Sequence, residues 1–210
     1  MRRPDTLITL LAALLVLSAG LAVSYRATDG FQAFTLESAR RLQAMRSPRL
    51  VGELPLQLAE GEKRTLSDWQ GRYVLVDFIF TRCTTLCTAM GSGYARLQHA
   101  LASEIEADRV RLLTVSIDPR RDRLADLAEY RLRYTKDISG WDIGRPQDER
   151  VLEAWLVSFG VVAIPEPLTG IAHNAAIHVV APNGRLVAIY DLGDIDSAAG
   201  FVRDRLDNPA

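Results

Sequence analysis

The sequence predicts an α/β sandwich held behind an N-terminal transmembrane helix. Three features carry that prediction: an uncharged apolar run near the N-terminus, two almost continuous apolar segments of strand length, and apolar residues at helical spacing between and after them. The 210 residues, 48% of them hydrophobic, suit one globular domain with an appendage. A formal net charge of -1 with no basic run excludes the clustered positive surface that nucleic acid demands.

Arg2 and Arg3 precede the stretch Leu7 to Tyr25, which holds no charge and is rich in Leu, Ala and Val. At about 1.5 Å per residue its roughly 19 residues reach about 28 Å as a helix, close to the hydrocarbon thickness of a bilayer. The leading arginines favour a cytoplasmic N-terminus and put the rest of the chain outside. The expected location is a bacterial inner membrane, single-pass, with the C-terminal domain in the periplasm. A cleaved signal peptide is the alternative, since Gly20-Leu21-Ala22 resembles a small-residue cleavage site. Either way the domain meets an oxidising compartment, where paired thiols need a reason to stay reduced.

The expected division is residues 1–25 as stub and anchor, 26–50 as tether and 51–210 as folded domain. Within the tether, Leu36, Ala39, Leu42 and Met45 recur at helical spacing, which predicts a short helix over Thr35 to Met45. Tyr73 to Phe80 (YVLVDFIF) reads as a central strand buried on both faces. A helix then opens around the two cysteines, with Leu86, Met90, Tyr94, Leu97, Leu101 and Ile105 forming one apolar face. Gly91 and Gly93 weaken its first turns, as close packing would require. Arg111 to Ile117 reads as a second strand, Asp122 to Tyr134 and Pro146 to Ser158 as helices. Ile177 to Val180 and Leu186 to Tyr190 flank Pro182-Asn183-Gly184, a hairpin signal, and Asp194 to Leu206 closes the chain as a helix. This order of elements is that of a thioredoxin-like sandwich.

The chain has only two cysteines, Cys83 and Cys87, set as C-x-x-x-C just beyond the carboxyl end of the central strand. Open α/β sheets place their sites there. Within a helix, residues i and i+4 share a face, which brings both sulfurs to one point. A helix N-terminus and Arg82 would favour thiolate, the form that binds metal or attacks disulfides. A local disulfide, or burial as small hydrophobes, is the plainer alternative.

These residues resemble the SCO/SenC family, the copper chaperones of cytochrome c oxidase assembly. Phe78-Ile79-Phe80-Thr81-Arg82-Cys83 with Cys87 is similar to the family's strand end and cysteine pair. Asp118-Pro119-Arg120-Arg121-Asp122 matches its Asp-Pro-x-x-Asp loop, and Tyr130 its following Tyr. His173, ahead of Ile177 to Gly184, matches its metal-binding His before a strand ending in Pro-x-Gly. The likeness covers about Glu53 to Leu206. It departs at Thr84 and Thr88, where many members have Pro, and at Asn174, where Ser is usual. The missing prolines leave a less rigid loop, which touches metal affinity and redox potential more than ligand identity.

Of the three histidines, His99 lies on the first helix about 18 Å beyond Cys87, too far to share a metal. His173 and His178 stand an odd number of positions apart and face opposite sides of an extended chain. The resemblance selects His173, in a loop after Pro165, Pro167 and Gly170; the reverse assignment to His178 is the alternative. Cys83, Cys87 and His173 are thus the implied ligands of a copper ion, Cu(I) or Cu(II), with sulfur favouring Cu(I). Asp118 or Asp122 could supply or orient a further donor, although Asp122 reads more simply as a helix cap. The implied acceptor is the dinuclear copper centre of cytochrome c oxidase subunit II, with other copper chaperones or thiol reductases as further partners.

Two other functions compete. A thiol-disulfide oxidoreductase would use Cys83 and Cys87 as its catalytic pair, but the spacing exceeds C-x-x-C and no Pro lies between Leu168 and Ala181. A thiol peroxidase would use the T-x-x-C of Thr84 to Cys87, but it needs an upstream Pro that is absent between Pro55 and Pro119.

Overall fold

The computed structural model describes residues 4–83, 86–166 and 170–208. The chain divides into two compact units, Met1–Gln43 and Ala44–Ala210.

In the first unit, α1 (Pro4–Ala27) contains the span Thr6–Ala27, with mean hydropathy 2.5 and none of its most apolar stretch buried in the protein. A turn follows, and α2 (Leu36–Arg46) starts where the helical spacing predicts.

The second unit is built on an eight-stranded sheet. Its strands are β1 (Arg49–Leu50), β2 (Leu56–Leu58), β3 (Lys63–Arg64), β4 (Tyr73–Ile79), β5 (Val110–Ser116), β6 (Trp141–Pro146), β9 (Ile177–Val180) and β10 (Arg185–Tyr190). Two more, β7 (Ala163–Glu166) and β8 (Gly170–His173), form a separate antiparallel hairpin. The spatial order is β1-β10-β9-β4-β5-β6-β2-β3. β4 lies centrally, parallel to β5 and antiparallel to β9, which explains its apolar character on both faces apart from Asp77. The β9–β10 hairpin turns at Gly184, φ +76°, as its Pro-Asn-Gly signal predicts.

Helices cover both faces. α3 (Leu86–Ala100) packs beside α7 (Ile195–Asp207), and Met90, Tyr94 and Leu97 of α3 are fully buried. At Gly91 an added Cβ would stand 2.2 Å from the Tyr134 ring, so the weak helix former is there for space. α5 (Leu124–Leu132) returns the chain from β5 to β6. On the opposite face α6 (Glu149–Phe159) sets Trp155 and Phe159 edge-on against Phe78 of β4, at 5.9 and 5.2 Å between ring centroids. Each such fully buried side chain contributes about 1.5–3 kcal/mol.

The structure corrects several sequence expectations. β6 was not anticipated, and Pro146 ends that strand opposite Leu56 instead of opening a helix. α6 begins at Glu149, where the Asp148 carboxylate accepts from the Arg150 N–H at 2.9 Å. The first site helix stops at Ala100 and resumes as a separate short α4 (Ala102–Glu106). Arg49–Leu50 pairs with Leu186 and Arg185 as an edge strand.

Candidate metal centre

The chain leaves β4 at Ile79 and turns at once into the cysteine loop. Phe80 is buried, and its carbonyl accepts from the Cys83 N–H at 3.2 Å. Cys83 precedes α3 and does not belong to it, so the expectation of two cysteines on one helical face is wrong in detail. The two residues are tied together differently: the Cys87 N–H, in the first turn of α3, donates to Cys83 Sγ at 3.3 Å. A helix N-terminal N–H on that sulfur favours a metal-binding or nucleophilic Cys83. Thr84 and Thr85 lie outside the described residues. Cys83 is half-buried and Cys87 fully buried.

Burial pushes the Cys87 thiol well above its ordinary range, with the Cys83 sulfur next to it and the charge of Asp77 adding to the rise. Burial thus works against the thiolate character expected at Cys87. Arg82 is directed elsewhere, into an ion pair with Asp118.

Three residues hold this loop. Asp122, fully buried, accepts from the Thr81 N–H at 3.2 Å, the Thr81 hydroxyl at 2.7 Å and the Ser116 hydroxyl at 2.6 Å. It is no helix cap: Arg123 stands at the N-cap position of α5, and its N–H donates to the Asp126 carboxylate at 2.9 Å. Ser116 in turn accepts from the Asp118 N–H at 3.1 Å. Tyr130 donates its hydroxyl to the Cys87 carbonyl at 2.6 Å, which ties α5 to the first turn of α3.

Asp77 escaped the sequence reading. It is fully buried in β4 opposite Thr114 of β5, and neither carboxyl oxygen has a hydrogen-bond partner among the described residues. Burial lifts its carboxyl to about 8, outweighing the nearby Thr114 hydroxyl. The Thr114 oxygen is engaged by the Trp141 indole N–H at 2.9 Å. A lone acid inside YVLVDFIF was the available signal.

His173 ends β8, a strand and not the open loop expected. Its ring meets the Phe80 ring edge-on at 6.2 Å, and an added Cβ on Gly170 of the same strand would touch that ring at 3.4 Å. Both ring nitrogens are buried with no hydrogen-bond partner among the described residues. Burial holds the imidazole below its ordinary range, partly opposed by the Asn174 backbone, so at neutral pH it is the uncharged ligand form. Pro167 lies outside the described residues.

The other histidines are elsewhere. His99 is exposed on α3. His178 is fully buried in β9, its Nδ1 3.2 Å from the Val76 carbonyl and its ring against Phe78 and Phe159. Among the described residues no three His, Cys, Asp or Glu side chains stand close enough together to hold a metal. The donor types nevertheless suit a soft metal: two neighbouring sulfurs, of which Cys83 Sγ accepts the Cys87 N–H, and an imidazole whose nitrogens have no hydrogen-bond partner among the described residues. Phe80 is their common neighbour, its backbone against Cys83 and Cys87 and its ring against His173.

Fold and site together define a thioredoxin-like α/β protein with a dithiol at the mouth of its sheet. The SCO1/SenC family model matches residues 43–202, and the chain belongs to that family. It is 32% identical over 144 residues to the SCO1 protein homologue of Bacillus subtilis, covering 67% of this chain and 73% of that one. It spans little more than half the length of the zebrafish and human mitochondrial SCO homologues that it also matches. Among solved structures it resembles BsSco, described by a disulfide switch and as a member of the Sco family of cytochrome c oxidase assembly proteins. That likeness has a TM-score of 0.65 and 24% identity over 75% of this chain and 93% of that one. Arabidopsis thaliana ScoI, solved with copper bound, matches with a TM-score of 0.65 and 18% identity over 76% and 99%.

Proposed function

We propose that this protein is a membrane-anchored copper chaperone. Copper is its cargo, taken by Cys83, Cys87 and His173 and passed to the dinuclear copper centre of cytochrome c oxidase subunit II. Residues 1–25 anchor it in a bacterial inner membrane, the chain between there and the first strand acts as tether, and the domain whose sheet begins at Arg49 works in the periplasm. The observation that carries the reading is the imidazole of His173, its two nitrogens buried and without a hydrogen-bond partner among the described residues, resting on Phe80, whose backbone borders both cysteines. A nitrogen ligand held uncharged and unengaged is ready for metal, and its two-stranded hairpin has to close on the sulfurs to complete the set. Each thiol that binds copper releases its proton, and the raised Cys87 value makes uptake weaken as pH falls. A three-ligand site leaves a position for the acceptor's ligand to enter before the metal leaves.

Anaerobic reconstitution of the reduced full chain with Cu(I) in mild detergent tests this. Wild type retains a single copper with sulfur ligation by X-ray absorption. Cys83→Ser, Cys87→Ser and His173→Ala each weaken retention about tenfold or more, at about 1.4 kcal/mol per factor of ten. Full retention by His173→Ala would end the three-ligand reading.

The asymmetry of the pair, a half-buried Cys83 receiving an N–H and a fully buried Cys87, favours thiol-disulfide exchange as a second reading. The same His173→Ala variant separates the two, because exchange with partner cysteines needs no imidazole.

A further inference from the structure

α1 ends in a turn with three successive left-handed residues: Asp29 at φ +50°, Gly30 at +75° and Phe31 at +63°. Only the glycine adopts that conformation without strain, so the turn is held by its surroundings. The Gly30 N–H donates to the Tyr25 carbonyl at 2.8 Å, and the Thr28 hydroxyl accepts from the Phe31 N–H at 3.1 Å. The result is an aromatic cluster at the helix end: Tyr25 and Phe31 edge-on at 5.5 Å, Phe31 and Phe34 stacked at 6.4 Å. All three are exposed, Phe34 at 71%, and Leu36 beside them is exposed at 93%. An apolar patch of that kind is unfavourable in water.

We propose that Tyr25 to Leu36 is an interfacial anchor, lying in the headgroup layer of the bilayer where α1 emerges. The inference rests on reading α1 as a membrane span. Three observations favour lipid over a protein partner. The patch is continuous with a span whose most apolar stretch is entirely unburied. Its composition is mixed, with Arg26, Thr28 and Asp29 among the aromatics, which suits the half-wet interface and not a dry protein contact. The left-handed turn, closed by the Gly30 and Phe31 N–H bonds, keeps the aromatics clustered at the end of the span and does not let the chain run on into water. The function served is to hold the start of the tether at the membrane surface, which restricts the reach of the copper-handling domain.

The test uses full-length protein in phosphatidylcholine/phosphatidylglycerol vesicles. Phe34→Trp is compared with wild type, whose Trp69, Trp141 and Trp155 supply the background emission. Lipids brominated near the headgroup should quench the added tryptophan about twofold more than lipids brominated deep in the chains. Iodide quenching as strong as for free tryptophan, with no bromine effect, overturns the proposal. Protection from iodide without bromine quenching assigns the patch to a protein surface and also overturns it. Flotation and intact mass are measured on the same samples. A chain that fails to float, or is cleaved near Ala22, defeats the span reading itself. A floating, intact chain insensitive to bromine defeats only the anchor.

Discussion

Replacing Asp77 by Asn removes a buried acid while keeping its shape. In the folded protein its carboxyl titrates at about 8, against an ordinary 3.8. A raised carboxyl means the native state holds a proton that the unfolded chain has given up between those two values. Stability from this group is therefore fully present below pH 4 and is lost as pH rises through 8. About four pH units at about 1.4 kcal/mol each give an upper bound of roughly 6 kcal/mol, a large share of a typical domain's stability. Asn has no proton to lose, so Asp77→Asn should gain on wild type steadily from pH 4.5 to 8. The difference should follow about 1.4 kcal/mol per pH unit until it flattens. Urea denaturation of both chains in mild detergent, followed by tryptophan fluorescence at several pH values, measures it. Other groups cancel in the difference over this range, since Cys87, Tyr94 and Tyr130, whose ionisation the Asp77 charge opposes, are all held above their ordinary values by burial. A difference that stays constant across this range would refute the reasoning and mean that Asp77 is solvated or paired.

Two further outcomes follow from packing and hydrogen bonding. Gly91→Ala drives a Cβ into the Tyr134 ring and should cost about 1–3 kcal/mol despite the better helix propensity, read as a lower denaturation midpoint at unchanged slope. Asp122→Ala strips the Thr81 amide and the Thr81 and Ser116 hydroxyls of their shared acceptor. It should cost about 2–4 kcal/mol and speed amide exchange in the Phe80–Cys83 loop before that of β5, which hydrogen-exchange mass spectrometry resolves.

Long apolar periodicities were readable without a fold. The central strand, the helix after the cysteines, the second strand, the Pro-Asn-Gly hairpin and the closing helix all lie close to where their patterns predict. Short edge elements were not, because β1, β2 and β3 span two or three residues and hold no period of their own. Trp141–Pro146 was obscured by its Gly and Pro, which suit a strand only because β2 lies alongside: a Cβ on Gly144 would stand 2.8 Å from the Gln57 carbonyl. At the site, C-x-x-x-C placed the cysteines near one another, but the hydrogen bond from the Cys87 N–H to Cys83 Sγ arises from a loop entering a helix.

The sequence by itself determined the alternation of strands and helices, the apolar span, and the residue types available for metal, since each is a local property of composition and spacing. Tertiary structure decided what those residues experience. Only folding buries Asp77 beside Thr114, lifts the Cys87 thiol, lays His173 on Phe80 and turns Asp122 from an apparent cap into the brace of the cysteine loop. Burial and long-range hydrogen bonds depend on partners from distant parts of the chain, and no local pattern encodes them.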